Sequence, residues 1–230
     1  MEILPSIHRI AVRGVNLLLI AEEQLTLADT GFRGSLPAVR RYIEKLGRSI
    51  DELGLIIVTH NHLDHSGAAL ELVQASGARV AAHEADLSEL EAGLPYPDFA
   101  LKALRLPLVS LLRPLSYPAP DQVAVKLKGG EVLPQLGGLQ VIHTPGHTPG
   151  SISLYIPSRK LLVVGDLINH RLPRLRLPPR SVSCDIPQAV DSIKKLCQLD
   201  FEALCFGHGR PILKGAKEEL LALLSRTQPG

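Results

Sequence analysis

The sequence predicts a mixed α/β (α+β) protein in which two mixed β-sheets pack face to face and helices cover both outer faces. Short β-prone runs come in groups, and each group is followed by helical segments. The same succession occurs in both halves of the chain, although no stretch of residues repeats. Two similar halves of this kind bury their apolar strands when one sheet packs on the other.

The first half begins with three short β-prone runs that form a predicted antiparallel meander. A helix follows, with Ser35 as its cap and Pro37 in its first turn, and it ends near Gly47. Strands and helices then alternate. The segments are the meander strands Ile7–Arg13, Val15–Ile20 and Leu25–Ala28, the strand Leu55–Thr59, a helix from about His65 to Ser76, the strand Arg79–Ala82 and a short helix His83–Glu91.

The second half begins with a second predicted meander and continues with a hairpin, a basic loop and two helices separated by a strand. Asp185 is a typical helix cap, with Pro187 early in the helix and Gln188 three residues after the cap. The segments are Val123–Leu127, Glu131–Leu133 and Leu139–His143, the hairpin strands Ile152–Ile156 and Leu161–Val164, the loop Arg171–Arg180, the helix from Asp185 to about Leu199, the strand Ala203–Phe206 and the helix Lys214–Leu224.

Residues Gly93–Asp121 differ from the rest, because they hold six prolines and an apolar segment with helical spacing. We therefore predict a single domain over residues 1–230 with a Pro-rich helical insertion at about 93–121. A long connection of this kind is more often a lid or a binding loop than filler. The alternatives are a surface excursion and a contact between the two copies of a homodimer.

Length, charge and cysteine content narrow the functional classes. A chain of 230 residues can fold without disulfides or structural metal, so a bound metal is expected to be catalytic. The net charge of +2, with scattered acids and bases, favours neither nucleic acid nor a membrane surface. No apolar run approaches ~18 residues and no basic stretch leads into one, so we expect neither a membrane span nor a signal peptide.

The three cysteines indicate the compartment. Cys184, Cys197 and Cys205 are odd in number and lack the CxxC spacing of a metal or redox motif. We expect buried free thiols in a reducing compartment, which predicts a cytoplasmic protein.

The stretch Leu55–Gly67, LIIVTHNHLDHSG, joins a short apolar run to three imidazoles and a carboxylate. The run predicts a buried strand, and His60 and His62, two residues apart, point to the same side of an extended chain. Asp64 and His65 follow as the chain turns into a helix, which leaves room for a second pair of ligands. Such a set suits zinc or iron better than calcium or magnesium. The alternative is a surface turn that is rich in histidine by chance.

Three further ligand candidates follow other predicted strands. His147 lies in the loop after Leu139–His143, Asp166 follows the second hairpin strand, and His208 stands between two glycines after the last strand. If these strand ends share one edge of the sandwich, all seven groups converge there. The neighbouring glycines allow the backbone to turn tightly beside a metal.

The HNHLDH run, the TPGHTPGS loop, the GD pair after an apolar strand and the late GHG resemble the motifs of the metallo-β-lactamase superfamily. The resemblance covers roughly Ile7 to Leu224. It implies a four-layer αββα sandwich with a two-metal site at one edge. The implied ligands are, for one ion, His60, His62 and His147; for the second, Asp64, His65 and His208; and, bridging both ions together with a hydroxide, Asp166.

This ligand set suits hydrolysis. A carboxylate that bridges two divalent ions keeps them close, and two ions that share a water lower its pKa enough to supply hydroxide at neutral pH. The hydroxide would attack an electrophilic carbon or phosphorus while one ion polarises the attacked group. The catalytic candidates are Asp166 as the bridge and Asp64 as a group that orients the nucleophile.

The remaining histidines are weaker candidates. His143 rivals His147 as the third ligand of the first ion, but it stands at the end of a strand and suits a supporting contact instead. His8 and His83 read as surface or packing residues, and so does His170 in its simplest interpretation. The basic loop is expected to bind a carboxylate or phosphate of a small substrate, and the alternative is a solvated loop without a binding role. The candidate substrate-binding residues are His170, Arg171, Arg174, Arg176 and Arg180.

Within the superfamily, His65 and the expected absence of an export signal resemble the glyoxalase II branch rather than the secreted β-lactamases. Glyoxalase II enzymes carry a helical C-terminal extension that helps to bind glutathione. Only residues 209–230 follow His208, which does not favour a full site of that kind. The predicted function is hydrolysis of a small ester, thioester (hydroxyacylglutathione-like) or lactone. It would use two divalent ions, with zinc preferred and iron or manganese left open.

Two other enzyme classes share this scaffold. One is a sulfur dioxygenase with a single iron, and the other is a phosphodiesterase that processes nucleic acid. The basic loop lacks interleaved aromatic residues, so nucleic acid is the less favoured partner. A non-catalytic binding protein is least favoured, since every ligand position is kept. A small molecule is therefore the expected partner, with a homodimer through the insertion as a further expectation.

Overall fold

Two β-sheets form the centre of the molecule in the computed structural model, which describes residues 1–91, 123–171 and 174–227. The first sheet has seven strands, which lie side by side in chain order. The first four are antiparallel, and the fourth to the seventh run parallel. They are β1 (Glu2–Leu4), β2 (Ile7–Val12), β3 (Val15–Ala21), β4 (Leu25–Ala28), β5 (Leu53–Ile57), β6 (Arg79–His83) and β7 (Val123–Leu127).

The later strands form a second sheet and a separate hairpin. They are β8 (Val132–Leu133), β9 (Leu139–His143), β10 (Ile152–Ile156), β11 (Leu161–Val163), β12 (Asn169–Arg171), β13 (Arg174–Arg176) and β14 (Ala203–Cys205). The second sheet has the order β14-β11-β10-β9-β8, and within it β11 and β14 are parallel. Strands β12 and β13 pair with each other.

Helices cover the outer faces of the two sheets. They are α1 (Leu36–Lys45), α2 (Leu63–Ser66), α3 (Ala69–Ser76), α4 (Glu84–Glu91), α5 (Ile186–Leu196) and α6 (Ala216–Thr227). Residues of α1 and α3 pack on the first sheet in one apolar cluster, and residues of α5 and α6 pack on the second sheet in another. A third cluster fills the space between the sheets. The predicted αββα sandwich of two mixed sheets is confirmed.

Alternation along β3 explains why its sequence is apolar almost throughout. Leu17 and Leu19 belong to the helix-facing cluster, whereas Leu18 and Ile20 belong to the cluster between the sheets. Because successive side chains of a strand point to opposite faces, a strand that is covered on both sides needs apolar residues on both.

Four elements differ from the predictions. Strand β7 joins the first sheet, parallel to β6, rather than starting the second meander. The predicted helix from His65 to Ser76 is broken into α2 and α3, because the His65 carbonyl and the Ala68 amide bond to the Thr30–Gly31 segment and not within one helix. The basic loop Arg171–Arg180 is partly the β12–β13 hairpin, and strand β1 was not predicted.

The cysteine prediction is right for two of the three residues. Cys197 and Cys205 are buried, whereas Cys184 is exposed. The preceding residue, Ser183, is buried with extended backbone, and neighbouring side chains of an extended chain point in opposite directions. The side chain of Cys184 therefore points outward.

The predicted insertion at 93–121, with its lid or homodimer role, lies outside the described residues, and the single-domain assignment stays a prediction. In the described part of the chain, no helix has the length and apolar character that a membrane span requires.

Candidate metal centre

Four loops meet at one edge of the sandwich, each following the C-terminal end of a strand. They follow β5, β9, β11 and β14, and they carry the seven side chains that the sequence singled out. The Ile152 amide donates a hydrogen bond to the Thr59 carbonyl over 2.8 Å, which joins the end of β5 to the second sheet. The predicted convergence of strand ends is therefore present in the structure.

His60, His62 and His147 form the first group of donors. The Nδ1 atom of His62 lies 3.1 Å from Nε2 of His147. The His60 ring stands almost perpendicular to the other two, with centroids 4.8 and 4.7 Å away. His60 and His147 are buried, so this group lies at the base of the site.

Asp64, His65 and His208 form the second group. The Nε2 atom of His208 lies 3.1 Å from an Asp64 oxygen, and Nε2 of His65 lies 3.7 Å from the same oxygen. His65 is buried, whereas His208 is about one-third exposed. The second group therefore lies nearer the solvent than the first.

Asp166 lies between the two groups. Its Oδ1 atom is 3.5 Å from Nε2 of His65, and its Oδ2 atom is 3.2 Å from Nε2 of His208 and 3.9 Å from Nε2 of His147. Gly207 packs so closely on the Asp166 carboxylate that a Cβ atom at position 207 would clash with it. One carboxylate thus lies beside histidines of both groups, as the predicted bridge requires.

Hydrogen bonds outside the centre orient four of the five imidazoles. A buried carboxylate oxygen of Asp29 lies 2.8 Å from Nδ1 of His65 and accepts a hydrogen bond from the Thr59 hydroxyl. That hydroxyl then accepts the Nδ1–H of His60 over 3.1 Å. Nδ1 of His147 pairs with Ser183, and Nδ1–H of His208 donates to the Gly14 carbonyl. With Nδ1 occupied, Nε2 of a neutral ring keeps a lone pair for a metal.

Asp29 is a supporting residue that sequence reasoning missed, because the Asp-Thr-Gly segment reads as an ordinary turn. A signal was available in the sequence: Asp29 directly follows an apolar strand, and Asp166 likewise follows the apolar run that contains β11. Asp29 also has a φ of +61°, a conformation that costs energy outside glycine. Its three hydrogen-bonding contacts hold it there.

Burial keeps the first group neutral. It lowers the pKa of His62 to about 3, and the neighbouring His147 ring adds to the effect. It also lowers the pKa of His147 to about 4, although the Asp166 carboxylate acts in the opposite direction. The pKa of His60 is well below its ordinary value for the same reason. Neutral imidazoles are the form that binds a metal.

The second group has the opposite charge state in the metal-free protein. Burial opposes the charged form of His65, but the Asp166 and Asp29 carboxylates raise its pKa to about 9. Hydrogen bonds to Asp166 and Asp64 raise the pKa of His208 to about 11. Burial acts to raise the pKa of both Asp64 and Asp166, but the histidines outweigh it and the pKa of each is lowered. A bound cation would replace the imidazole protons between the carboxylates.

The donor set fits a divalent metal site. Ligands about 2.0–2.1 Å from one tetrahedral zinc ion lie roughly 3.3 Å from one another, close to the shortest separations in each group. Several of the buried ligand atoms have no hydrogen-bond partner among the described residues. They are Nε2 of His60, Nε2 of His65 and Oδ1 of Asp166. A metal ion would satisfy such atoms, whose desolvation otherwise costs free energy.

A cavity of about 820 Å³ opens onto this centre. Its described wall includes apolar side chains from four positions together with donors of both groups; the apolar ones are Phe32, Leu63, Pro179 and Val182. The volume is within the range that is usual for small-molecule sites. Within the described lining, no residue is lysine or arginine.

His170 also lines the cavity. Its Nδ1–H donates a hydrogen bond to the Arg210 carbonyl over 2.6 Å, and its ring packs on Phe206. Of Arg171 only the backbone is described, as the last residue of β12. Arg174 and Arg176 are exposed on either side of the buried Leu175.

The other histidines are outside the centre. His143 stacks on His83 with ring centroids 3.9 Å apart and donates its Nε2–H to the Pro149 carbonyl. His8 is buried beside Tyr42, 3.3 Å from its hydroxyl. The geometry thus separates His143 from His60 and His62, while His147 lies beside them.

Comparisons with known proteins point in one direction. A family model described as the metallo-beta-lactamase superfamily matches residues 10–208. The probable metallo-hydrolase YflN of Bacillus subtilis is 30% identical in an alignment of 246 positions. The alignment covers 98% of this chain and 92% of that protein. The metallo-beta-lactamase family protein TTHA1429 of Thermus thermophilus has the same fold, with a TM-score of 0.76, 23% identity and coverage of 98% of this chain and 80% of that one.

Two relatives have more specific names. The hydroxyacylglutathione hydrolase GloC of Haemophilus influenzae is 31% identical over 54% of this chain and 56% of its own length. The acyl-coenzyme A thioesterase MBLAC2 of Bos taurus is 28% identical over 66% of this chain and 57% of its own length.

Proposed function

Because the chain belongs to the metallo-beta-lactamase superfamily, we propose that it is a hydrolase with two divalent metal ions, zinc in preference, that cleaves a small thioester, ester or lactone. The observation that carries the proposal is the pair of donor groups that meet at Asp166. Four separate strand ends supply these groups, and buried donor atoms in them have no hydrogen-bond partner among the described residues.

The residues would divide the work in a simple way. His60, His62 and His147 would hold one ion, Asp64, His65 and His208 the second, and Asp166 would contact both. When bound, the ions would lower the pKa of a shared water so that hydroxide is available near neutral pH, and would polarise the substrate carbonyl. Asp29 and Ser183 keep the rings of His65 and His147 in position.

The cavity supports a substrate with an uncharged acyl part. Phe32, Leu63 and Val182 give the described wall its apolar character, and an acyl chain would pack on them. His170 contributes a ring that is fixed through Nδ1 and can form a hydrogen bond to the substrate through Nε2. The names of the GloC and MBLAC2 relatives favour a thioester among the three bonds.

The basic residues are proposed to bind the other end of the substrate. Arg180 is exposed and stands between Pro179 and Ser181, which both line the cavity, so it lies at the cavity rim. Together with Arg174 and Arg176 on the neighbouring hairpin, it would attract an anionic leaving group, such as a phosphate-bearing or carboxylate-bearing thiol.

The test compares thioesters of glutathione and coenzyme A, an aryl ester and a lactone as substrates, with metal content measured on the same samples. We expect about two ions per chain and turnover of at least one thioester. Asp166→Asn keeps the side-chain size and should lower kcat/KM by roughly 100-fold or more. The matched control is Asp191→Asn, which makes the same change on an exposed residue of α5.

Each alternative has its own outcome in this test. A single iron ion with oxygen consumption would replace the hydrolase by a sulfur dioxygenase. RNA binding that weakens steeply with salt would indicate a nucleic-acid-processing enzyme instead. Two ions without turnover of any thioester, ester or lactone would leave the metal site standing and reject the substrate class.

A further inference from the structure

We propose that Asn16, supported by Arg9, is a positioning residue for His208 and therefore for the second metal ion. The proposal rests on the proposed function only where it concerns the metal. Its basis is a hydrogen-bond network between the β2–β3 hairpin and the 206–209 loop that follows β14.

Asn16 and Arg9 are half-buried polar residues at the end of an otherwise apolar face. Asn16 pairs with Ala11 and Arg9 pairs with Leu18, so all four side chains point to the same face of the first sheet. Leu18 and its neighbours on that face belong to the cluster between the two sheets. Asn16 and Arg9 are themselves half-buried and Ala11 is exposed, so they lie at the solvent end of this face, where the buried part of each polar side chain still needs a hydrogen-bond partner.

The 206–209 loop supplies hydrogen-bond partners for Asn16. Its side-chain Nδ2 donates to the Phe206 carbonyl over 2.9 Å and to the Gly209 carbonyl over 2.7 Å. Its backbone N–H donates to the Gly207 carbonyl over 2.8 Å. The residues on both sides of His208 are therefore bound to one asparagine.

Arg9 completes the network from the other side. Its Nε–H donates to the Oδ1 atom of Asn16 over 2.6 Å, which fixes the orientation of the amide, and its Nη2 lies 3.4 Å from the Gly209 carbonyl. The network requires two N–H donors and one acceptor oxygen in one small side chain, and the asparagine amide provides all three.

The same hairpin also orients the imidazole. The Gly14 carbonyl accepts the Nδ1–H of His208 over 3.0 Å, and Val15 and His208 form an isolated antiparallel bridge. Loop position and ring orientation are thus set by residues 9–16 of the first sheet, although His208 follows a strand of the second sheet. Movement of this loop would displace a donor of the second group and leave the first group in place.

The test is a zinc titration against a chromophoric chelator, with Asn16→Asp as the main variant. A carboxylate of the same shape would put an oxygen against the carbonyls of Phe206 and Gly209 in place of the amide donors. We expect the first zinc equivalent to bind as in the wild type and the second to bind roughly 10- to 100-fold more weakly. Gln140→Glu is the matched control, because it makes the same amide-to-carboxylate change on β9, outside this network.

A second readout does not depend on metal. Hydrogen exchange of the metal-free protein should show faster exchange at the Gly207 and Asn16 amides in Asn16→Asp, with the rest of the core unchanged. If Asn16→Asp does not fold, Arg9→Met is the deciding variant. It keeps Asn16, removes the guanidinium contacts to Asn16 and Gly209, and should weaken binding of the second zinc equivalent roughly 3- to 10-fold.

The outcomes separate the two proposals. Unchanged affinity for both equivalents, equal weakening of both, or unchanged exchange in the loop would overturn the role of Asn16. A wild-type protein that binds no zinc would instead reject the proposed function, and the exchange comparison would still decide whether Asn16 positions the loop.

Discussion

His147 shows how burial determines the chemistry of a single side chain at this centre. The ring is buried, is hydrogen-bonded through Nδ1 to Ser183 and lies next to His62. These surroundings lower its pKa to about 4, with burial as the main cause. A histidine that is neutral when folded and protonated when unfolded makes stability depend on pH in a predictable direction.

We expect this effect in the metal-free protein below pH 7. With a folded pKa of about 4 and an unfolded pKa near 6.5, the contribution of His147 is complete above pH 6.5 and is lost as pH falls toward 4. In this range one extra proton bound by the unfolded state lowers the free energy of unfolding by about 1.4 kcal/mol per pH unit. Between pH 6.5 and 5 the free energy of unfolding of His147→Asn should therefore fall by roughly 2 kcal/mol less than that of the wild type. Urea unfolding of chelator-treated samples measures this difference.

The control for His147→Asn is internal, because the two proteins should have parallel stability profiles between pH 7 and 8. Parallel profiles down to pH 5 would mean that the ring takes up a proton while folded, which would contradict the neutral first group.

At the scale of elements, α4 holds two ligand loops together through one buried carboxylate. The carboxylate oxygens of Asp86 accept three hydrogen bonds from these loops. The donors are the backbone N–H of Asn61 over 2.9 Å, the Thr148 hydroxyl over 3.0 Å and the backbone N–H of Gly150 over 2.6 Å. Asn61 lies between His60 and His62, and Thr148 follows His147 directly. A short helix thus connects the loops that carry the three donors of the first group.

Asp86→Asn tests this connection. An amide of the same size keeps one acceptor oxygen but places an NH₂ group against donors, so a buried donor loses its partner. We expect the free energy of unfolding to fall by about 2–3 kcal/mol in the metal-free protein, measured by urea unfolding. Asp191→Asn serves as the exposed control. A loss below about 0.5 kcal/mol, the usual range for surface changes, would show that Asp86 does not fasten these loops.

The boundary between α2 and α3 is also decided by contacts between elements. Apolar spacing favours one helix through this region, but the Thr30 hydroxyl donates to the His65 carbonyl over 2.8 Å. The Ala68 amide also donates to the Gly31 carbonyl over 3.1 Å, so two backbone groups that one continuous helix would pair internally are bonded to residues 30 and 31. Contacts of this kind are made by distant segments, so helical periodicity does not reveal them.

At the scale of the whole molecule, the core is independent of the metal centre. Apolar clusters lie on both outer faces of the sheets and between them, and the donors lie at one edge. A metal ion that binds the folded state alone adds stability without being needed for folding. The molecule is therefore expected to stay folded when metal is removed.

Metal removal provides the corresponding measurement. At zinc concentrations about 100-fold above Kd, each bound ion contributes about 2.7 kcal/mol, so two ions contribute about 5.4 kcal/mol, which corresponds to roughly 10–20 °C in Tm for a chain of this size. Chelator should lower Tm by that amount, leave the far-ultraviolet circular dichroism unchanged, and be reversed by added zinc. Equal Tm values with chelator and with zinc would mean that the seven side chains hold no metal in solution.

Sequence pattern was sufficient for the fold class, for most strands and helices and for locating the seven side chains that meet at one edge of the sandwich. Apolar periodicity is a local property, and His60, His147, Asp166 and His208 stand close to strand ends that it locates. The pairing of β7 with β6 and the roles of supporting residues depended on packing. In the sequence alone, Asp29 reads as a turn residue, Asn16 as a polar interruption of a strand, and Asp86 as part of a helix. The partners of these residues in the ligand loops are at least 25 positions away, from Asn61 for Asp86 to Gly209 for Asn16, so no local pattern records those contacts.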